Sequence, residues 1–262
     1  MTLPNTSIIM AIQLRYINFS GFEIISSNGY RIVVDPFLSG SDEHGIAPSP
    51  LSLSDFDQTD LVLVSHGAFD HLGQALEIVQ RSGATLACGP DVRLHALSQG
   101  IPEERIAYLL SGCSANFAER VTVKALDVRH ISLFRSGNHW LSGQPLSFMI
   151  RLPEGFTIYH SGDTSLFSDL KLFGELHRPD VALLCVGGVR SHGFEVVPLP
   201  PDEAALALEW LGAPLAIPMH YRPDSDAPQQ FAAAVAARNG GRSTSRVHIM
   251  TPGDTVNVQQ LL

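Results

Sequence analysis

Leu61-Val62-Leu63-Val64-Ser65-His66-Gly67-Ala68-Phe69-Asp70-His71-Leu72-Gly73 joins an apolar run to a cluster of polar side chains. The run over 61–65 is short and continuous, which is typical of a buried β-strand. Apolar residues then recur at helical spacing from Leu72 to Val79, which predicts a helix. The polar cluster therefore follows the carboxyl end of a buried strand, where ligands gather in layered α/β proteins.

This cluster contains two histidines, His66 and His71, and the carboxylate of Asp70. Imidazole nitrogens and carboxylate oxygens are ligands that zinc and similar divalent ions bind in proteins. The spacing therefore favours a metal site. The structural alternative is a polar loop whose histidines are satisfied by hydrogen bonds.

Three more candidate ligands each follow a predicted strand. His130 comes after the strand over 121–128, Asp163 after that over 156–160, and His220 after that over 215–219. If these strands lie side by side, their ends converge on one edge. The three side chains would then meet the cluster over 66–71.

The remaining pattern predicts a single α/β domain over 11–262, preceded by a disordered extension over 1–10 with Met10 as an alternative start. Strands are predicted over 12–18, 22–26, 30–35, 61–65, 85–88, 121–128, 146–152, 156–160, 181–185, 215–219 and 247–250. Helices are predicted from residue 72, from Pro90 to Gly100, over 201–211 and over 231–238.

The composition narrows the class of protein. Of 262 residues, 45% are hydrophobic and 16% are charged, which excludes intrinsic disorder. The formal net charge of −9 argues against a nucleic-acid partner, which would require a basic surface. The sequence contains no apolar run long enough for a membrane span and only three scattered cysteines, so a cytoplasmic protein without a membrane partner is expected.

Several motifs, in this order, resemble those of a known family. They are Asp-Pro-Phe-Leu-Ser-Gly at 35–40, the loop at 66–71, Tyr-His-Ser-Gly-Asp-Thr at 159–164 and Pro-Met-His-Tyr at 218–221. With His130, they make the chain similar to the metallo-β-lactamase superfamily over roughly residues 11–255, specifically to its small ascorbate-6-phosphate-lactonase-like branch of metal-dependent hydrolases. The resemblance implies a four-layer αββα sandwich with its metal site at the edge between two sheets.

The resemblance also implies six metal ligands: His66 and His130 in a first site, Asp70, His71 and His220 in a second, and Asp163 bridging both. One position departs from the family pattern His-x-His-x-Asp-His. Ala68 stands where the family has its second histidine, and a methyl group cannot coordinate a metal.

Three interpretations of Ala68 stay open. The first is a pair of ions with a weakened first site, and the second is one ion at the Asp70, His71 and His220 end. In the third, another side chain fills the gap or the chemistry is lost. The candidates to fill it are four histidines, which are otherwise surface residues or residues that orient a ligand: His44, His139, His160 and His192. His95, His177 and His248 are expected to be ordinary residues of a helix, a loop and a strand.

The expected function is hydrolysis of a small ester, lactone or phosphorylated metabolite by water activated by one or two divalent ions, zinc or alternatively manganese. Asp70 is expected to position the nucleophile or take a proton, and Tyr221 to donate a hydrogen bond to an oxyanion. The arginines Arg135, Arg190 and Arg222 are candidates to hold a carboxylate or phosphate, or else are surface charges.

Other functions are also considered. Ala68 suggests a non-catalytic descendant that binds a metal or a metabolite. A metal-dependent nuclease fits poorly, because the chain is acidic and short. The expected partner is a small-molecule substrate, and a homo-oligomer is kept as an option because such hydrolases commonly form one.

Overall fold

The computed structural model describes residues 11–239 and 245–262, so the expected extension over 1–10 lies outside the described residues. The strands are β1 Gln13–Asn18, β2 Gly21–Ile25, β3 Arg31–Val34, β4 Leu61–Val64, β5 Thr85–Cys88, β6 Ile106–Tyr108, β7 Ser114–Asn116, β8 Thr122–Leu126, β9 Ser132–Ser136, β10 His139–Gly143, β11 Ser147–Arg151, β12 Thr157–His160, β13 Val181–Cys185, β14 Val189–Ser191, β15 Phe194–Val196, β16 Leu215–Met219, β17 Arg246–Val247 and β18 Thr255–Asn257. The helices are α1 Phe69–Leu72, α2 Ala75–Ser82, α3 Pro90–Ser98, α4 Asp169–His177, α5 Pro201–Leu211 and α6 Ala227–Asn239.

The strands form two seven-stranded sheets and two separate hairpins. The first sheet has the order β18-β1-β2-β3-β4-β5-β6, and the second has the order β17-β16-β13-β12-β11-β8-β7. The hairpins are β9–β10 and β14–β15. Each sheet has an antiparallel part and a parallel part, and the parallel parts are β3 to β6 in the first and β12, β13, β16 and β17 in the second.

The two sheets pack face to face around a shared core. Leu61 and Leu63 of β4 belong to this core, together with Val123 and Ile150 of the second sheet. Val62 and Val64, which alternate with the two leucines, instead pack with residues of α2 and α3 in a separate cluster. This period of two makes β4 buried on both faces, which explains why its sequence is continuously apolar.

Residues of α4, α5 and α6 join the core on the other side of the second sheet, so the layers are helices, sheet, sheet and helices. The predicted four-layer αββα sandwich is therefore confirmed. Among the described helices, none combines the length and the apolar character that a membrane crossing requires.

The helix predicted from Leu72 corresponds to α2, which begins at Ala75, and Gly73 separates it from the short helix α1, which ends at Leu72. Gly73 has φ 41°, and a Cβ there would lie 2.1 Å from the carbonyl oxygen of Pro36. The chain must turn at this point because α1 lies against the loop that follows β3. The apolar spacing was a correct indication of helix, but it does not report the turn.

The last strand was wrong in extent. The prediction over 247–250 corresponds only to β17, Arg246–Val247, with one more backbone hydrogen bond from His248 to Ala216 at 2.9 Å. The edge of the first sheet is instead formed by β18, which pairs antiparallel with β1.

Several elements were not predicted: α4, the two hairpins and the short strands β6, β7 and β18. Helix α4 exposes two leucines, Leu172 and Leu176, so its apolar pattern is not confined to one face. His177 ends this helix instead of lying in a loop. The hairpins also expose large apolar residues. Their apolar residues are therefore not confined to a buried face, so the alternation that indicates a half-buried strand is missing.

Candidate metal centre

The loop after β4 and helix α1 together supply three of the six predicted ligands. His66 is buried directly after β4, and Asp70 and His71 are buried within α1. The rings of His66 and His71 lie 4.1 Å apart between centroids. Gly67 permits this tight loop, because a Cβ there would lie 2.0 Å from the ring of Phe134 on β9.

Strands of the second sheet bring the other three ligands to the same edge. Asp163 follows β12 and lies at the centre of the cluster. Its carboxylate oxygens lie 3.3 Å from Nε2 of His71, 3.1 Å from Nε2 of His220 and 3.6 Å from Nε2 of His130. His130, Asp163 and His220 therefore meet the cluster over 66–71, as expected if the strands before them lie side by side.

The six side chains fall into two groups, which we call together the ligand cluster. Each group offers three ligand atoms that lie within 4.8 Å of one another: His66, His130 and Asp163 in one, and Asp70, His71 and His220 in the other. His130 is the solvent-exposed member, and the other five side chains are buried. Since Asp163 also contacts His71 and His220, one carboxylate reaches both groups.

Unpaired polar atoms test whether the cluster fits a metal. Nε2 of His66, Nε2 of His220 and Oδ1 of Asp163 are buried and form no hydrogen bond of regular geometry with the described residues, although His220 and Asp163 keep the ion-pair contacts given above. A buried polar atom without a partner costs about 1–3 kcal/mol. All three atoms belong to the ligand types that zinc binds, and they point into one cluster, so the donor set fits a divalent ion.

The electrostatics of the cluster are those of closely spaced carboxylates and imidazoles. Burial opposes ionisation of Asp163, but His220 and His71 outweigh it and hold the pKa of this carboxyl well below its ordinary value. Burial alone would lower the pKa of His220, yet Asp163 and Asp70 raise it to about 9. Burial and the charge of His71 lower the pKa of His66 to about 3, so His66 is a neutral imidazole.

The backbone at His220 is strained. His220 has φ 62°, in the left-handed region that a non-glycine residue rarely adopts. Its backbone N–H donates to the carbonyl oxygen of Phe19 at 2.8 Å, and the two rings lie 4.3 Å apart between centroids. Such strain persists where the surroundings over-determine the conformation, and it clusters at functional sites.

Asp35 has a role that sequence reasoning missed. This fully buried carboxylate accepts hydrogen bonds from the backbone N–H of Ser65 at 2.7 Å, from Oγ of Ser65 at 2.6 Å and from Nδ1 of His71 at 2.8 Å. The bond to Nδ1 leaves Nε2 of His71 directed at the ligand cluster. The available signal was an Asp-Pro pair at the end of a buried strand, which the motif at 35–40 includes.

His160 does not fill the gap left by Ala68. Its ring is fully buried, its Nε2 donates to the carbonyl oxygen of Ser20 at 2.9 Å, and its Nδ1 accepts from the backbone N–H of Gly162 at 3.1 Å. Both ring nitrogens are therefore occupied by the backbone. His160 holds the turn that carries Asp163.

The other three candidate histidines also lie outside both groups of ligand atoms found among the described residues. Nδ1 of His44 lies 2.8 Å from Oγ of Ser41, and its ring packs on Phe69 at 4.5 Å between centroids. His139 and His192 are exposed on the two hairpins. Ala68 is half-buried in front of α1 and offers no ligand atom.

Tyr221 and the candidate arginines are engaged elsewhere. The hydroxyl of Tyr221 donates to the carbonyl oxygen of Met250 at 3.0 Å, so its proton is not directed at the ligand cluster. Arg222 is buried and pairs with Glu195 at 2.8 Å and with Asp224 at 3.1 Å. Arg190 forms ion pairs with Glu195 and Asp224. Arg135 donates a hydrogen bond to the carbonyl oxygen of Gly137.

Comparison with known proteins places the chain in a family. The model of the β-lactamase superfamily domain matches residues 30–221. A UPF0173 metal-dependent hydrolase of Methanobrevibacter smithii is 33% identical over 247 residues, which cover 92% of this chain and 95% of the relative. A protein of the same designation from Rubrobacter xylanophilus is 32% identical over 247 residues, with the same coverage of both chains.

Solved structures agree with this placement. A metallo hydrolase of Ignicoccus hospitalis, Igni18, superposes with a TM-score of 0.76 at 27% identity, over 94% of this chain and 98% of that one. An isothiocyanate hydrolase from gut bacteria of Delia radicum has a TM-score of 0.70 at 17% identity, over 93% and 98% of the two chains, and shows the fold alone. The chain belongs to the metallo-β-lactamase superfamily, among its metal-dependent hydrolases.

Proposed function

We propose that this chain hydrolyses a small uncharged ester or lactone with the help of divalent ions, zinc or alternatively manganese, held by the ligand cluster. The observation that carries this proposal is the convergence of buried nitrogen and oxygen atoms on His66, His220 and Asp163 that form no regular hydrogen bond among the described residues. A bound divalent ion would supply a Lewis acid and lower the pKa of water from about 15.7 to about 7. The chain's own residues supply the rest.

Asp70 is the proposed base. Burial opposes its ionisation, but the charges of His71 and His220 hold the pKa of Asp70 below its ordinary value, so it is a carboxylate near neutral pH. Its Oδ2 lies 3.4 Å from Nε2 of His220 and 4.0 Å from Nε2 of His71. With Oδ2 facing the ligand atoms of His71 and His220, the other carboxylate oxygen, Oδ1, is the one proposed to orient an attacking water and accept its proton.

The two groups of the ligand cluster are proposed to differ in affinity. The group of Asp70, His71 and His220 has three buried ligands and the nearby carboxylate of Asp163. The group of His66, His130 and Asp163 has an exposed histidine, and Ala68 adds nothing to it. We therefore propose that the group of Asp70, His71 and His220 fills first and that the group of His66, His130 and Asp163 binds its ion weakly.

The preference for an uncharged substrate rests on the arginines. Arg190 and Arg222 are already paired with Glu195 and Asp224, so neither is free to bind a substrate phosphate. The residue next to Ala68, Phe69, is exposed and packs with the rings of His44 and Phe37. Such an aromatic rim favours an apolar substituent over the phosphate that the ascorbate-6-phosphate-lactonase-like branch implies.

The test is hydrolysis of a panel of uncharged lactones and esters beside their phosphorylated counterparts. We expect turnover of uncharged members that is lost with a chelator and restored by zinc or manganese. Asp70→Asn should remove the turnover while the protein keeps its fold, measured by circular dichroism. Preference for the phosphorylated members would contradict the proposed substrate class. Metal binding without turnover of any member would instead indicate the non-catalytic descendant that Ala68 suggests.

We also propose a cellular location for the protein. Cys88 and Cys185 are buried free thiols, which supports a reducing, cytoplasmic location. The oligomeric state stays a prediction, and size-exclusion chromatography with light scattering measures it.

A further inference from the structure

A cavity lies on the outer face of the second sheet, away from the ligand cluster. It has a volume of about 250 Å³, and its polar lining consists of three basic and three hydroxyl side chains: Lys124, Arg151, His177, Ser114, Thr122 and Thr157. Thr157 begins β12, whereas Asp163 follows the other end of that strand. The cavity is therefore at the amino end of β12, about 10 Å along the strand from its carboxyl end.

The strand register brings these side chains together. Arg151 of β11 pairs with Thr122 of β8 on one side and with Thr157 of β12 on the other. Lys124 lies two residues beyond Thr122 on the same face and pairs with Ser114 of β7. Because side chains of paired residues point to one face, four strands contribute to a single polar patch. His177, the last residue of α4, closes it from above.

The positive charges in this cavity have no carboxylate partner among the described side chains. Nζ of Lys124 donates only to the carbonyl oxygen of Gly112, at 2.8 Å, and Arg151 forms no ion pair there. Seven arginines elsewhere pair with carboxylates: Arg15, Arg31, Arg81, Arg93, Arg190, Arg222 and Arg238. Arg105, Arg129, Arg135 and Arg178 resemble Arg151 in forming no ion pair with a described residue. Asp180, which precedes β13, accepts a hydrogen bond from the backbone N–H of Thr157 at 2.7 Å.

The cations also act on the histidine. Burial lowers the pKa of His177, and the charges of Lys124 and Arg151 lower it further. The three groups therefore face a common space. On a chain with a formal net charge of −9, the cavity holds two cations without a carboxylate partner in the described part of the chain, beside a half-buried histidine.

We propose that this cavity binds the phosphate group of a small metabolite, at a site separate from the metal centre. A guanidinium donates two parallel hydrogen bonds to phosphate oxygens, and an ammonium adds a compact charge. The hydroxyl of Ser114 lies beside these cations and is a further donor, whereas the hydroxyl of Thr122 already donates to Oδ1 of Asn116 at 2.8 Å. The volume is below the range of about 300–1,000 Å³ that drug-sized ligands occupy, so the ligand is small. This inference does not rest on the proposed hydrolysis.

The experiment follows the imidazole signals of His177 by NMR in the metal-loaded protein, with inorganic phosphate as the probe. We expect a saturable shift and a higher pKa of His177 when phosphate is bound, because the anion offsets the cations. The signals of His177 are assigned by their loss in His177→Gln. Chloride at matched ionic strength should not reproduce the shift.

Two variants separate a specific site from a general charge effect. Arg151→Gln and Lys124→Gln should each weaken phosphate binding by about tenfold or more, because each removes a charge-assisted contact. The matched control is Lys171→Gln, which changes the chain's exposed lysine on α4 and should leave the binding unchanged. The proposal would be overturned by a shift that never saturates, or by equal weakening in all three variants.

A second arm of the titration replaces phosphate with succinate. We expect succinate to bind more weakly than phosphate. A single phosphate group can contact the guanidinium of Arg151 and the ammonium of Lys124 at once, whereas each carboxylate of succinate offers only two oxygens in one plane. Equal or tighter binding of succinate would overturn the assignment of phosphate as the ligand chemistry.

Discussion

The carboxylate of Asp35 accepts a hydrogen bond from Nδ1 of His71 at 2.8 Å, and both side chains are fully buried. Asp35 ends a strand of the first sheet with φ 45°, and its other contacts come from Ser65, the residue before His66. The same carboxylate therefore orients one ligand and supports the loop of another. Burial opposes its ionisation, but His71 holds the pKa of Asp35 below its ordinary value.

Asp35→Asn should weaken metal binding by about 10- to 100-fold, the usual range for loss of a group that orients a metal ligand. The amide keeps the size of the side chain but removes the charge that directs Nδ1–H of His71. The measurement is zinc affinity by competition with a chromophoric chelator. Asp57→Asn is the control, because Asp57 is a surface partner of Arg81. Unchanged affinity in Asp35→Asn would contradict the orienting role.

Asp163→Ala should remove most of the bound metal, because this carboxylate contacts ligands of both groups. Metal content by mass spectrometry after dialysis against a trace chelator checks this. His95→Ala should retain the wild-type content, since His95 bonds to Ser136 at 2.8 Å outside the ligand cluster. If Asp163→Ala kept its full metal content, the bridging assignment would be wrong.

Ala68→His should raise the number of ions bound per chain. The wild type is expected to hold about one tightly bound ion after dialysis, and the variant about two, because the new imidazole completes the group of His66, His130 and Asp163. Ala68→Leu is the matched control, since it adds bulk without a ligand atom. About two ions in the dialysed wild type would mean that the site tolerates Ala68.

Zinc affinity should rise with pH between about pH 7 and pH 9. The pKa of His220 is raised to about 9 in the metal-free chain. Burial lowers the pKa of His71, but Asp163 and Asp35 outweigh it and raise that pKa well above its ordinary value. Both imidazoles therefore carry a proton at pH 7 that a metal ion must displace. His66, whose pKa is lowered to about 3, is already neutral and adds no such dependence. Competition titrations at several pH values, corrected for the chelator, measure the slope. Affinity that does not change with pH would show that His220 is neutral before binding.

Gly162→Ala should lower both stability and metal affinity. Gly162 has φ 53°, and an added Cβ would lie 2.7 Å from the carbonyl oxygen of Leu146. The matched control is Gly155→Ala, where φ is 88° but nothing lies within 4 Å of the added Cβ. The control should cost only the backbone strain of about 1–2 kcal/mol, and it should leave the metal content intact.

Thermal unfolding and metal content, measured on both glycine variants, separate the cost of backbone strain from the loss of metal binding. Equal loss of metal in both would mean that the turn before Asp163 has no special role in positioning it.

Much of the fold was readable from local patterns. The bounds of the strands 85–88, 181–185 and 215–219 and of helix 201–211 were correct, because buried parallel strands are continuously apolar and the helix has Pro201 at its start and Gly212 past its end. The two hairpins and α4 were missed for the opposite reason. Their exposed apolar side chains, among them Trp140 and Phe194, disturb the period from which an element is inferred.

By itself, the sequence determined which side chains are candidate ligands, their place after buried strands and the absence of a donor at Ala68. These are properties of neighbours along the chain. Only the tertiary structure decided that Asp35 orients His71, that backbone groups occupy both nitrogens of His160 and that Glu195 and Asp224 hold Arg222. Each of these contacts joins side chains or backbone groups whose meeting depends on how strands and loops pack, and packing across sheets leaves no local pattern in the sequence.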